Sequence, residues 1–399
     1  MKQTARIIST YSADVMGVCS ALFELGGMTV MHDASGCNST YTTHDEPRWY
    51  DMDSMVYISG ISEMEAIMGD DEKLIGDIVD AATELKPAFI AIAGTPIPAM
   101  TGFDFEAVAE VIEHRTGIPC FGFPTTGMNT YVQGVSMALK GLAERFASHG
   151  NDIEDNPVKE RSKSNAHEAG GKYKVNVLGL TPLDFSTNGT DDSICKWMDG
   201  NGFEAVSRWA MGSSLQEIAM AGSADVNLVV SASGLAAAKV LRERFGTPYV
   251  IGLPYGDEFS GLLKELLEDA AADSCRAHTA VADIPSDEEG FVAIIGEGVT
   301  SLAIASAIEL EKGYNTKVLC ATEPMGIDLR AKDRVTPDED DIIPELAGAK
   351  AVIADPLYRP ICPEEAKFVS LPSEAFSGRI YRDEIPDLVR DFGTLIERL

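Results

Sequence analysis

Two cysteines near the N-terminus, Cys19 and Cys37, are the residues of this chain best suited to bind a soft metal. Each follows an apolar stretch and stands beside small residues, and Gly36 directly precedes Cys37. Residues 28–32 predict a short buried strand that ends in the turn containing Cys37. Because ligands of open α/β sheets bind at carboxyl strand ends, a thiolate there could hold a metal or an iron–sulfur cluster. Two inert core cysteines fit the pattern equally well, since the spacing matches no closed zinc or ferredoxin motif.

Other titratable residues have weaker claims to a chemical role. His32 and His44 flank Cys37 and could donate protons there, although a solvated or core histidine is the commoner state. Cys120 lies at a predicted strand terminus and is a reserve thiolate ligand. The remaining cysteines are interpreted as structural thiols: Cys195, Cys275, Cys320 and Cys362.

Small residues follow three other predicted strands. Ser231 and Ser233 end a strand and begin a helix, where they could hold an anion or act as a plain N-cap. Residues 94–102 join a strand to a helix but lack a Gly-Lys-Ser/Thr motif, so they do not form a phosphate-binding loop. Residues 295–301 match half of a dinucleotide fingerprint without its third glycine, which favours a tight strand-to-helix turn.

Composition narrows the class of protein. The chain has 399 residues, 45% of them apolar and 24% charged, as in globular proteins too long for a single core. No apolar run is long enough to cross a membrane, and the N-terminus lacks a secretory signal, so we expect a cytoplasmic location. The net charge of −31 argues against nucleic acid and anionic membranes as partners.

Apolar strands alternate with amphipathic helices along most of the chain, which predicts parallel sheets. An N-terminal unit occupies residues 1–150, and a polar stretch at 151–172 is typical of a linker or loop. A second unit occupies residues 173–282 and a third residues 283–399. We therefore predict an α/β protein of three Rossmann-like domains, each a parallel sheet flanked by helices.

Several segments in combination resemble the nitrogenase component 1-type oxidoreductases. This family also contains protochlorophyllide reductase subunits, cofactor-assembly scaffolds and a reductive cyclase of nickel tetrapyrrole synthesis. The matching segments are residues 36–37, 61–74, 176–184, 227–238, 245–249, 354–358 and 368–372. The resemblance implies three domains around a central cleft, and a dimer of such subunits. It also implies an interface iron–sulfur cluster that receives electrons from an ATP-hydrolysing iron protein.

The departures from the family pattern bear on function. The resemblance assigns Cys19 and Cys37 as the first two cluster ligands, whereas the position of the third cysteine is occupied by residues 95–97, which contain none. Residues 229–233 and 369–374 match the stretches that hold the iron–molybdenum cofactor in nitrogenase, and they lack the required cysteine and histidine. We therefore expect no iron–molybdenum cofactor and no nitrogen fixation.

The leading hypothesis is a subunit of a nitrogenase-like reductase. A [4Fe–4S] cluster needs about four ligands, so two subunits, identical or paralogous, would share one through Cys19 and Cys37. Low-potential electrons would pass from the iron protein through the cluster to a small molecule in the cleft. Ser231 and Ser233 would line the cleft, with His32 as a distant candidate acid. The alternative is a non-catalytic scaffold or carrier for a metallocofactor or tetrapyrrole precursor.

Overall fold

The computed structural model describes residues 6–7, 10, 12–34, 45–149, 171–272, 276–285 and 289–399. Gly36, Cys37, His44 and most of the predicted linker lie outside the described residues. The described part contains three parallel sheets flanked by helices, which confirms the predicted fold class. No helix of this part is both long and apolar enough to cross a membrane.

The first sheet has four parallel strands. They are β1 (Met28–His32), β2 (Met55–Ile58), β3 (Ile90–Gly94) and β4 (Cys120–Phe123), accompanied by helices α1 (Asp14–Leu22), α2 (Glu63–Met68), α3 (Glu72–Leu85), α4 (Pro96–Thr101), α5 (Phe105–Thr116) and α6 (Tyr131–Arg145). The order across the sheet is β2-β1-β3-β4. Strands β1 and β3 are buried throughout, as their continuous apolar sequences require. The expected loop at 94–102 contains α4, because Pro96 is compatible with a first helical turn.

The second sheet has the order β6-β5-β7-β8-β9. It comprises β5 (Tyr173–Leu178), β6 (Phe203–Trp209), β7 (Val226–Val229), β8 (Tyr249–Ile251) and β9 (His278–Thr279), with helices α7 (Pro182–Phe185), α8 (Thr190–Gly200), α9 (Leu215–Ala219), α10 (Leu235–Phe245) and α11 (Asp257–Ala272) and a 3-10 turn at Ala232–Gly234. Buried polar side chains join three adjacent strands of this sheet, β6, β5 and β7. The Asn176 amide donates to Asn227 and accepts from the Ser207 hydroxyl, each at 2.8 Å. These satisfied bonds favour one strand register.

The third sheet has the order β12-β11-β10-β13-β14. It comprises β10 (Phe291–Gly296), β11 (Thr316–Cys320), β12 (Arg334–Val335), β13 (Ala349–Ala354) and β14 (Lys367–Ser370), with helices α12 (Gly298–Lys312), α13 (Glu339–Glu345), α14 (Glu374–Ser377) and α15 (Leu388–Glu397). The three sheets fall within the predicted ranges 1–150, 173–282 and 283–399. The boundaries themselves stay predictions.

Helix α6 links the first unit to the second. A Cβ on Gly134 of α6 would lie 1.8 Å from the Asp14 carbonyl oxygen, and one on Gly17 of α1 would lie 2.2 Å from the Tyr131 carbonyl oxygen. Only glycine permits this approach of the two helices. The N-terminal residue of α6, Tyr131, is fully buried and extends towards the second sheet, where it bonds to Asp184.

Candidate functional site

Buried acids lie where the second and third sheets face each other. Asp184 follows β5 in the chain, and Glu297 directly follows β10. Glu297 accepts a hydrogen bond at 2.9 Å from the backbone N–H of Ala232, which follows β7. The carboxyl ends of strands from two sheets therefore meet, and Tyr131 of the first unit reaches the same place. We call this region the three-sheet junction, defined by Tyr131, Asp184, Ala232 and Glu297.

Glu297 is the N-cap residue of α12. Besides Ala232, its carboxylate accepts from the backbone N–H groups of Val299 at 3.1 Å and Thr300 at 2.9 Å. Burial raises the pKa of Glu297, and the three backbone N–H donors act in the opposite direction by stabilising the charged form. Its side chain is therefore the better placed of the two junction acids to remain ionised.

Asp184 is the acid of the pair that holds a proton. Burial and the charge of Glu297 raise the pKa of Asp184 to about 8. The Tyr131 hydroxyl donates to one of its oxygens, and the Thr181 hydroxyl donates to the other at 3.3 Å. No backbone N–H among the described residues bonds to its side chain, in contrast to Glu297. The two carboxyl groups differ in environment, so at neutral pH we assign the proton to Asp184.

A cavity of about 60 Å³ adjoins both acids. Asp184, Glu297 and Asp355 contribute carboxyl groups to its lining, whereas its remaining walls include apolar side chains such as Ile304 and Phe376. No lysine, arginine or histidine of the described residues lines it. The cavity is thus a small, acidic and partly apolar space at the three-sheet junction.

Ser231 and Ser233 are placed near the junction but form a cap. Both are fully buried, and their hydroxyl oxygens lie 3.0 Å apart. The backbone N–H of Ser233 donates to the Ser231 hydroxyl at 3.4 Å, which caps the short 3-10 turn at Ala232–Gly234. Of the two interpretations left open by the sequence, this geometry matches the N-cap. Their proposed contact with a ligand stays a prediction.

Cys19 lies inside α1 and is only 1% exposed. Burial, assisted by the charge of Glu46, raises the pKa of its thiol to about 12. A cluster ligand must be a thiolate. Its buried position in α1 gives no support to Cys19 as a cluster ligand, and that assignment stays a prediction. Within the described ranges, no group of three or more histidine, cysteine, aspartate or glutamate side chains could hold a metal ion; Gly36 and Cys37 lie outside those ranges.

Cys120 lies at the opposite end of the first sheet from the carboxyl end of β1, after which Cys37 follows in the sequence. It begins β4 and pairs with Ile90, the first residue of β3, whereas Cys37 follows the carboxyl end of β1. Opposite ends of strands this short are about 10 Å apart. The backbone N–H of Cys120 instead donates to Glu113 at 3.0 Å. This position does not support Cys120 as a reserve ligand.

His32 is the last residue of β1 and lies at the carboxyl end of the first sheet. Its Nδ1 lies 2.9 Å from the Ser59 hydroxyl, and its ring centroid lies 4.4 Å from that of Phe103. Burial lowers the pKa of His32 to about 4, so the imidazole is neutral at physiological pH. It does not line the cavity at the three-sheet junction. The structure therefore offers no support for His32 as the acid.

Sequence reasoning missed the residues that the structure brings together. Asp184 is the last residue of segment 176–184, one of those that carry the family resemblance, and Glu297 lies within the predicted turn at 295–301. The sequence did contain a signal for both residues, because each carboxylate follows the carboxyl end of a predicted strand, where ligands of α/β sheets bind. Tyr131 carried no such signal, since it reaches the junction only through the packing of α6.

The comparisons with known proteins agree with this fold. The model of the nitrogenase component 1 type oxidoreductase family matches residues 14–345. The chain therefore belongs to this family. The solved structure of nitrogenase Cp1 at pH 6.5 superposes on 100% of this chain and 93% of its own, with a TM-score of 0.66 and 16% identity. At that identity the likeness concerns the fold alone.

Curated relatives are named nitrogenase iron-molybdenum cofactor biosynthesis protein NifE. The Klebsiella pneumoniae protein is 24% identical over 75% of this chain and 65% of its own length. The Clostridium pasteurianum protein is 25% identical over 65% of this chain and 55% of its own length. The chain thus matches only part of these longer proteins.

Proposed function

We propose that this protein is a subunit of a nitrogenase-like reductase in which Asp184 supplies protons to a small molecule. The observation that carries the proposal is a buried carboxyl group, Asp184, whose pKa is raised by burial and by the charge of Glu297, on the wall of a cavity between the second and third units. Adding electrons to a small molecule creates negative charge, which a neighbouring acid neutralises. A pure carrier has no need of such an acid.

Each junction residue has a distinct role in this proposal. Glu297 remains ionised on its backbone N–H donors, and its charge keeps the proton on Asp184 before reduction begins. When Asp184 gives up its proton, the Tyr131 hydroxyl stabilises the resulting carboxylate through the bond it already donates. The apolar walls limit the entry of water that would otherwise compete as a proton source.

Electrons reach such proteins from outside the subunit. Family membership supports an iron–sulfur cluster and an ATP-hydrolysing iron protein as the electron source. The proposed [4Fe–4S] cluster lies at an interface and involves Cys37, which follows β1 beyond the described residues. Cys19, the second predicted ligand, would have to leave the core of α1 to take part. We therefore assign no electron-transfer step to particular atoms.

Exposed apolar side chains support a subunit interface at the carboxyl end of the first sheet, the end from which β1 leads to Cys37. Helix α2 follows β2, α4 follows β3, and a loop follows β4. These segments expose a group of large apolar residues, which we call the methionine patch, at 68–87%: Met64, Ile67, Met68, Met100 and Met128. Apolar patches of this kind mark interaction surfaces. We propose that a second copy or a paralogous subunit covers the patch.

The reductase proposal is tested by electron flow. Anaerobically purified protein is mixed with its iron protein, ATP and dithionite, and reductant consumption is followed with candidate small molecules. We expect substrate-dependent consumption that Asp184→Asn lowers at least tenfold, consistent with the usual contribution of a general acid. The exposed-site variant Glu258→Gln should match the wild type. Equal rates for Asp184→Asn and wild type would remove Asp184 from the proposal.

The scaffold remains the second candidate because the curated relatives are named cofactor biosynthesis proteins. A scaffold would co-purify with its cargo and show no electron flow that depends on a substrate. We therefore propose to denature the anaerobic protein and analyse the released material by metal analysis and mass spectrometry. Released cofactor together with no substrate-dependent electron flow would favour the scaffold.

A further inference from the structure

The first sheet has an open edge at β4, which pairs with β3 and with no other strand of the described residues. The backbone N–H of Ile90 donates to the Pro119 carbonyl at 2.8 Å, and Ile90 is the register partner of Cys120. Because alternate residues of a parallel strand bond to the same neighbour, the backbone of Phe121 bonds to β3 and that of Gly122 faces the open edge. Gly122 thus offers one N–H and one C=O to a further strand.

A groove of about 1090 Å³ lies along this edge, with helices α5 and α6 as its two walls. The helices cover opposite faces of the sheet, since α5 shares a core cluster with Cys120, whereas α6 shares the other cluster with Phe121 and Phe123. The volume is that of a ligand-binding cleft rather than of a packing defect. The groove therefore has the position of a fifth strand between two layers of helices.

One end of the edge is already bonded to a side chain. The Glu113 carboxylate accepts the outward N–H of Cys120 at 3.0 Å, as the carbonyl of an added strand would. Arg145 of α6 pairs with this carboxylate across the groove, and its guanidinium lies 5.9 Å from the centre of the Phe121 ring. An added strand therefore bonds to the half-buried Gly122, beyond this ion pair.

The charges of the groove select the class of partner. Lys140 and Arg145 of α6 line it, but each is already paired, with Glu144 at 3.5 Å and with Glu113. Three acidic side chains line the other wall along one face of α5, at spacings of four and three residues: Glu106, Glu110 and Glu113. The side chains of an occupant that face α5 should therefore be basic.

The wall formed by α6 is apolar next to the edge. Met137 and Gly141 line it beside the rings of Phe121 and Phe123, and a Cβ on Gly141 would lie 3.3 Å from the Phe121 ring. Successive side chains of a strand point to opposite faces of its sheet. An added strand thus presents alternate residues to the acidic wall and to the apolar wall.

We infer that this groove binds an extended segment of a partner protein, in which lysine or arginine alternates with apolar residues, as an added strand beside β4. Main-chain bonds to Gly122 fix the segment, and its basic side chains pair with the acidic face of α5. The net charge of −31 disfavours a second copy of this chain as the occupant. No residue of the methionine patch lines the groove, so this surface is distinct from the proposed subunit interface.

Fluorescence anisotropy of a labelled eight-residue peptide, with lysine and valine in alternation, tests the inference on the full chain. We expect saturable binding, no binding of a glutamate–valine peptide, and at least tenfold weaker binding of a peptide with four lysines followed by four valines. Glu106→Gln combined with Glu110→Gln should weaken binding about fivefold, because two exposed ion pairs are lost. Asp80→Asn combined with Glu84→Gln removes the same charge at the same spacing from exposed positions of α3, and should bind as the wild type does.

Hydrogen–deuterium exchange shows whether the peptide joins the sheet. Within residues 119–124, the N–H groups of Phe121 and Phe123 bond to β3 and that of Cys120 bonds to Glu113. Both flanking residues are prolines and have no N–H group. Saturation with the lysine–valine peptide should therefore protect one further amide in this range, that of Gly122.

Several outcomes would overturn the inference. They are no saturable binding, equal binding of the glutamate–valine or block peptide, equal loss of affinity in the two double variants, or no added protection within residues 119–124. Peptide binding that appears only after residues 151–170 are replaced by a glycine–serine linker of equal length would also overturn it, because this chain would then supply the occupant. The experiments use no iron protein, so their result leaves the reductase proposal unaffected.

Discussion

The carboxylate of Glu297 accepts a hydrogen bond from the backbone N–H of Ala232 at 2.9 Å, across the boundary between the third and second sheets. This bond holds the Glu297 carboxyl group in the same junction as Asp184, and the charge of Glu297 contributes to the raised pKa of Asp184. A contact that joins two sheets thus also sets the protonation state of the junction. Both the stability and the proposed chemistry should depend on it.

The first prediction concerns stability and pH. The folded-state pKa of Asp184 lies near 8, above the value of about 4 for an unfolded aspartate. Its protonation therefore stabilises the fold fully below about pH 4, and this stabilisation is lost as the pH rises towards 8. Asp184→Asn cannot ionise, so its free energy of unfolding should rise relative to the wild type by up to about 1.4 kcal/mol per pH unit in this window.

Urea denaturation of both proteins between pH 5 and pH 9 measures this difference. Glu258→Gln removes an exposed carboxylate and should show a nearly constant difference from the wild type over the same range. A difference between Asp184→Asn and wild type that stays flat from pH 5 to pH 9 would show that Asp184 does not hold a proton in the folded state.

The second prediction concerns the contact between α1 and α6. Gly134→Ala should destabilise the protein by more than about 2 kcal/mol, because its Cβ would overlap the Asp14 carbonyl and force the helices apart. Gly76→Ala in α3 is the matched control, since its Cβ would meet nothing within 4 Å. It should stabilise the fold by about 0.5–1 kcal/mol. Thermal unfolding of the two variants measures both effects, and equal melting temperatures would contradict the packing account.

The third prediction separates the two N-terminal cysteines. We expect Cys37→Ser to lose bound iron and Cys19→Ala to retain it, because Cys19 is buried in α1 with a strongly raised thiol pKa. Iron analysis after anaerobic purification measures this, and alkylation at pH 8 should leave Cys19 unmodified in the folded protein. Iron loss in both variants would instead support the two-cysteine cluster and require α1 to open.

The fourth prediction concerns Arg48. Its guanidinium bonds to Glu46 at 2.6 Å, to Glu24 at 2.8 Å and to the Ala210 carbonyl of the second unit at 3.2 Å. Arg48→Ala would leave two carboxylates unpaired and should cost about 3–5 kcal/mol. The exposed pair of Arg115 and Glu72 provides the contrast.

Arg115→Ala should change the free energy of unfolding by less than about 1 kcal/mol, because exposed ion pairs contribute little. Chemical denaturation of Arg48→Ala and Arg115→Ala side by side gives the comparison. If the two variants lose the same stability, Arg48 does not join the units as described.

The periodicity of apolar residues was sufficient to predict the parallel sheets, but it did not predict the residues of the candidate site. The predicted strand at 28–32 coincides with β1, because a continuous apolar run reports local burial. The role of Cys19 could not be read in the same way. A cysteine beside small residues looks alike whether it faces an interface or the interior of α1.

The junction itself depends on contacts between distant parts of the chain. Tyr131 and Asp184 are 53 positions apart, and Ala232 and Glu297 are 65 apart. No local pattern encodes such pairings. These pairs form because α6 packs on the second unit and because the carboxyl ends of strands in the second and third sheets face each other. Both arrangements exist only in the folded chain.

The proton on Asp184 is the central claim, and infrared spectroscopy measures it most directly. Difference spectra of wild type and Asp184→Asn, recorded between pH 5 and pH 10, isolate the C=O stretch of the protonated carboxyl group. We predict a carboxylic acid band at pH 7 that is absent from the Asp184→Asn protein and disappears in the wild type as the pH rises through about 8. A spectrum with no such band at pH 7, or with the same band in Asp184→Asn, would contradict the account.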